Sequence, residues 1–75
     1  MNQRLLKAKR VEKGIYQKDL AKELGISEKS MSQKESSDVN RFKASEMLAI
    51  SKLLGLSYEE FDGIFFDGQL SKRLN

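Results

Sequence analysis

Four polar residues, Glu28, Lys29, Ser32 and Gln33, fall at helical spacing, with Met31 on the opposite side. A helix carrying them buries one face and presents mixed donors and acceptors on the other. The Gln33 amide can make two hydrogen bonds with an adenine edge, and Lys29 can donate to guanine or to a phosphate. Ser32 is small and adaptable. Glu28 can accept from a cytosine amine, or it can serve as a first-turn acid that complements the helix dipole. This is the chemistry of recognition. Bond-breaking chemistry has no comparable candidate: histidine and cysteine are absent, no Gly-rich phosphate loop occurs, and the carboxylates are scattered. The serines lie where caps and groove contacts account for them. Disulfides and zinc sites of the Cys/His type are excluded. The residues call for no catalytic role, metal, cofactor or small-molecule ligand.

A polar face of this kind has to be held by other elements, and the spacing of apolar residues locates them. An apolar residue, a cap and a second apolar residue five positions after the first form a hydrophobic staple, which marks a helix start. The pattern occurs at Met1-Asn2…Leu6, Ile15-Tyr16…Leu20, Ile26-Ser27…Met31, Phe42-Lys43…Met47 and Leu56-Ser57…Phe61. Asn2, Ser27 and Ser57 are good caps, because a short side-chain oxygen can accept from an unpaired backbone N–H. Tyr16 and Lys43 lack that oxygen. Gly14, Gly25 and Gly55 stand where helices end. These signals predict helices over 2–13, 17–24, 28–36, 44–54 and 58–65, an all-α chain with a polar loop between the third and fourth. Residues 1–66 form the expected domain, and 67–75 read as a turn and a loosely held tail. Leu6, Ile15, Leu20, Ala21, Leu24, Ile26, Met31, Met47, Ile50, Leu53, Leu54, Leu56 and Phe61 can share one interior.

At 75 residues this is one small domain with a thin stability margin. Its net charge is only +3, but the distribution is uneven. Residues 1–43 carry eleven Lys+Arg against six Asp+Glu, whereas residues 57–75 carry two against four. The basic portion suits a polyanion. No run approaches the length of a transmembrane helix, the N-terminus lacks the apolar core of a signal peptide, and thiol-free composition suits a reducing cytoplasm.

The stretch Gln17–Ser36, QKDLAKELGISEKSMSQKES, together with Arg10, Gly14, Ile15 and the later run Ile50-Ser51-Lys52-Leu53-Leu54-Gly55-Leu56, resembles the lambda repressor/Cro (XRE-like) helix-turn-helix family over about Leu6 to Phe61. The resemblance implies a compact five-helix DNA-binding domain with its helix-turn-helix at the second and third helices. It implies that Gln17 and the start of the second helix clamp a phosphate, as free N–H groups there favour an anion. It also implies that Arg10 and Glu35 form a partly buried salt bridge pinning the first helix to the recognition helix. Lys34 departs from the family, which usually has an apolar residue there; either its stem packs while its ammonium snorkels outward, or the site marks a weakened core beneath the recognition helix. Arg41 and Lys43, with Asn40, can grip the DNA backbone or enter the minor groove, and Lys9 and Lys18 are weaker candidates for that task. The closing Leu-Gly-Leu-Ser…Ile-Phe-Phe is reminiscent of short prophage regulators, which implies a bacterial or phage-encoded repressor acting on double-stranded DNA.

Ile64, Phe65 and Phe66 form an apolar trio that a single helix turn cannot turn wholly inward. At least one is expected to be exposed and to mark a partner site. A homodimer on a palindromic operator would fit, since paired helix-turn-helix domains bind half-sites about 34–36 Å apart. The rival reading is a protein-interaction module on the same scaffold, such as an antitoxin or a partner of another regulator, supported by Glu28 and the modest net charge.

Overall fold

The computed structural model describes residues 1–70. Five helices follow one another: α1 (Gln3–Glu12), α2 (Gln17–Leu24), α3 (Glu28–Glu35), α4 (Ala44–Leu54) and α5 (Tyr58–Phe65). No strand occurs among the described residues. The expected helices lie within one residue of these bounds at every end.

The starts obey two different capping rules. Asn2 Oδ1 accepts from the Leu5 N–H at 3.0 Å, and Ser27 Oγ accepts from the Ser30 N–H at 3.0 Å. Ser57 accepts from Glu60 N–H, and Glu60 accepts in return from Ser57 N–H, closing a capping box. Tyr16 and Lys43 contribute no side-chain acceptor. Their own backbone N–H groups are bound instead by an acid three residues on, Asp19 at 2.9 Å and Glu46 at 2.8 Å. Half a capping box is enough to begin both helices.

The turn between α2 and α3 depends on Gly25, which sits at φ +69°. There the Ile26 N–H reaches back to Ala21 C=O and the Gly25 N–H to Lys22 C=O, the paired bonds of a Schellman stop. The same two bonds recur from Ile15 and Gly14 to Arg10 and Val11, and from Leu56 and Gly55 to Ser51 and Lys52. In each case the residue after the glycine is apolar and tucks under the helix it has just left.

Helix α2 packs against α3 and α4, while α1 packs against α5 and α3. Between them lie Leu6, Leu20, Ala21, Met31, Phe42, Ile50, Leu54, Ile64 and Phe65, all buried. Ile15, Leu24, Ile26, Met47, Leu56 and Phe61 close over this centre, partly buried. Leu53, expected inside, is 39% exposed because α4 turns Ile50 and Leu54 inward and leaves it on the flank. Phe42 takes a core place from within the polar loop and meets Phe65 edge-on, with ring centroids 6.0 Å apart.

The apolar trio corrects an expectation. Ile64 is fully buried, Phe65 is 3% exposed and Phe66 is half-buried against Phe61, 5.8 Å between centroids. The helix ends at Phe65, so Phe66 lies on a redirected chain and folds back over the bundle. No exposed aromatic remains there, and the basis for a dimer contact through Ile64, Phe65 and Phe66 is gone. Beyond it, Asp67 and Gly68 both take positive φ, and the buried Asp62 binds the Leu70 N–H at 3.0 Å. Of the turn and tail expected over 67–75, residues 67 and 68 form the turn and 69 and 70 are helical, and the remainder lies outside the described residues.

Candidate nucleic-acid interface

Met31 is fully buried under α3, and this decides which way the rest of the helix faces. Glu28, Lys29, Ser32 and Gln33 are all exposed. The structure therefore brings the four candidate reading residues together on the outer side of one two-turn helix.

Two ion pairs hold that helix in place. Arg10 Nε donates to Glu35 Oε2 at 3.1 Å and Nη2 to Oε1 at 3.0 Å, a forked contact between buried groups. Its remaining nitrogen, Nη1, donates to the Ile15 carbonyl at 2.9 Å. One guanidinium thus joins α1, the α1–α2 turn and α3. The second pair was not legible from the sequence. Lys34 Nζ donates to both Glu46 oxygens, at 2.8 and 3.0 Å, and lies 5.9 Å from the centre of the Phe42 ring. The Lys34 ammonium does not snorkel outward as expected. It turns onto a buried carboxylate and ties the end of α3 to the start of α4. Burial works to raise the Glu46 pKa, but Lys34 and the Lys43 amide outweigh it and leave it below the usual carboxylate range. Glu46, an acid three residues into a helix whose cap residue has no acceptor, signals its bond to the Lys43 N–H, but nothing local pairs it with Lys34.

Beside α3 runs an open groove of about 560 Å³, lined by Gln3, Arg4 and Lys7 of α1, Gln17 of α2, Ser32 of α3 and Ser36 just after it, together with the Arg10–Glu35 pair. Arg4 and Lys7 are exposed, and no carboxylate of the described residues pairs with them. Their cationic groups border the polar face of α3. Neither was singled out from sequence, although Arg4, Lys7 and Arg10 recur every third residue on α1 and so share a face. Gln17, half-buried at the first turn of α2, lines this groove and also a second depression formed with Tyr16, Lys18 and Glu28. Lys18 lies 5.6 Å from the centre of the exposed Tyr16 ring.

The other basic candidates separate. Arg41 is exposed, and its Nε donates to Ser37 Oγ at 3.2 Å; Lys43 is exposed at the start of α4. Asn40 is committed to structure: its Oδ1 accepts from Phe42 N–H at 2.9 Å and its amide nitrogen faces Met47 Sδ at 3.1 Å. Lys9 is taken up by Glu60 and Glu12. The Lys9 ammonium, with the Ser57 amide, holds the Glu60 carboxyl at about 2, and the Lys9 pKa rises in return. That leaves Lys9 a poor candidate for a phosphate.

A buried-anchor helix set across a second helix by a glycine turn, with a basic groove alongside, defines the DNA-binding helix-turn-helix class. The family model described as Helix-turn-helix matches residues 6–61, well over half of the chain. The chain belongs to this family, in its XRE or lambda-repressor-like form, and is a DNA-binding regulator of that type. No match was found among curated proteins or among solved structures. Among the described residues, no helix is long and apolar enough to cross a membrane.

Proposed function

We propose that the chain is a sequence-specific regulator of transcription that lays α3 in the major groove of double-stranded DNA and acts as a repressor of phage or prophage type in the bacterial cytoplasm. One observation carries the reading: the exposed Glu28, Lys29, Ser32 and Gln33 stand on α3 immediately beside the groove of Arg4, Lys7 and Gln17. In this arrangement Gln33 and Lys29 read base edges, Ser32 adapts to its neighbour, and Glu28 either selects a cytosine or steadies the helix start. Gln17 and the first turn of α2 hold a phosphate, with Arg4 and Lys7 on one flank and Arg41 and Lys43 gripping backbone elsewhere. Two chains on a palindromic operator would place two copies of α3 one helical turn apart, about 34–36 Å.

Selection of bound duplexes from a random pool tests the proposal directly. A defined motif is expected, and a palindrome would show that chains bind in pairs. Salt titration provides the second arm, since each neutralised phosphate contributes about −0.9 to the slope of log K against log[salt]. Failure to bind any duplex at low salt would end the reading. Repression is checked by placing the selected site across a reporter promoter, where expression should fall when the protein is supplied.

A further inference from the structure

A single carboxylate bridges α3 and α4. Glu46 Oε1 accepts from Lys34 Nζ on α3 and from the Lys43 backbone N–H, each at 2.8 Å. Its other oxygen, Oε2, accepts from Lys34 Nζ at 3.0 Å. The Glu46 side chain is 9% exposed and that of Lys34 21%, so the pair is only weakly screened. Residues 36–43, which connect the two helices, form neither helix nor strand. The main packing of α3 is on α2 and α1, and that of α4 is on α2. The side-chain bridge therefore fixes a connection that regular backbone structure does not. Lys34 directly follows Gln33, whereas Arg41 and Lys43 stand on the far side of the connector.

We propose that Lys34 and Glu46 are positioning residues for sequence discrimination, locking the base-reading end of α3 to the backbone-gripping Lys43; the inference rests on the DNA reading given above. Phosphate contacts carry no sequence information, but they set the register from which base contacts are made. With reader and grip rigidly joined, a wrong base under Gln33 cannot be met by shifting α3 without giving up a phosphate contact. With the joint loose, Arg41 and Lys43 hold any duplex while α3 tilts to a compromise, and a mismatch costs less. The pair thus acts on the difference between sites rather than on attraction to DNA. An apolar residue at position 34 would fill the space beside the Phe42 ring, whose centre lies 5.9 Å from the ammonium, but would offer Glu46 no donor. The cation, not the stem, makes the joint.

The test compares affinities of the full chain for its selected duplex and for a scrambled one. The informative variant is the double change Lys34→Met with Glu46→Gln. It strands neither charge, leaves the net charge at +3, and keeps an amide oxygen at 46 to accept from the Lys43 N–H. The ratio of selected to scrambled affinity should fall about tenfold, the discrimination carried by roughly one base pair. Affinity for the scrambled duplex and the salt slope should stay within about twofold of wild type, because no phosphate contact is removed. Lys34→Arg, which can fork onto the same carboxylate, should keep the ratio within about threefold. Melting curves by circular dichroism verify that each variant is folded at the assay temperature. A folded double variant with an unchanged ratio, or one weakened equally on both duplexes, overturns the proposal, as does Lys34→Arg losing as much as the double change. A wild type that binds every duplex alike, or none, overturns the DNA reading itself and is seen before any variant is made.

Discussion

Arg10 makes hydrogen bonds to two separate parts of the chain, Glu35 on α3 and the Ile15 carbonyl in the α1–α2 turn. Removing it leaves Glu35 buried without its counter-charge, a loss of roughly 3–5 kcal/mol for a buried pair. A domain of this size has little more than that to lose, so Arg10→Ala is expected to unfold the protein and abolish DNA binding with it. A normal thermal melt for that variant would refute the structural role. Lys34 makes the milder case, because its ammonium is partly open to water. Lys34→Met restores the apolar residue usual in the family but strands Glu46. Loss of about 1–3 kcal/mol is expected, read as a lower urea midpoint. Had Lys34 merely snorkelled, the same change would be neutral.

At the scale of elements, α3 separates reading from gripping. Gln33→Ala should cost on the order of 1–3 kcal/mol and relax specificity at a single base pair, whereas Arg4→Ala or Lys7→Ala should weaken all duplexes alike and reduce the salt slope by about 0.9 each. Binding measured on the selected site and on single-base variants distinguishes the two patterns. The glycines give opposite predictions for one chemical change. At Gly25 a Cβ meets no atom within 4 Å, so Gly25→Ala is penalised only for its left-handed backbone, by about 1–2 kcal/mol. At Gly63, inside α5, a Cβ would lie 3.6 Å from Leu5 Cδ2, an ordinary contact. Gly63→Ala should therefore stabilise the protein by about 0.4–1 kcal/mol through the unfolded chain's lost freedom. Thermal melts of the two variants should move in opposite directions.

At the scale of the whole molecule, an electrostatic strap away from the DNA face joins Lys9 of α1 to Glu60 of α5. Folding lowers the Glu60 pKa from 4.5 to about 2, so its contribution is complete above pH 4.5 and is lost as pH falls towards 2. Glu46, also lowered, loses its contribution on the same side. The melting temperature should fall across this acid range, and Glu60→Gln should flatten part of the fall. An unchanged pH profile for that variant would show that the strap contributes nothing to stability. The paired Lys9 also explains why the basic bias of residues 1–43 overstates the charge available to DNA.

Much of this was legible because it is local. Staples, caps and stops act within five or six residues, so the five helices, the glycine turn and the outward set on α3 followed from spacing alone. Arg10 with Glu35 was reached only through family resemblance, since 25 residues of chain separate them. Other features required the helices to be docked. Lys34 meets Glu46, Arg4 and Lys7 come to border α3, and Phe42 sinks into the core because distant segments close around them. Phe66 escapes the helix that seemed bound to expose it, and Leu53 turns to a flank that periodicity had placed inside. Chain spacing determines which side of a helix a residue takes. Which partner waits there depends on how the helices cross, and only the tertiary structure decides that.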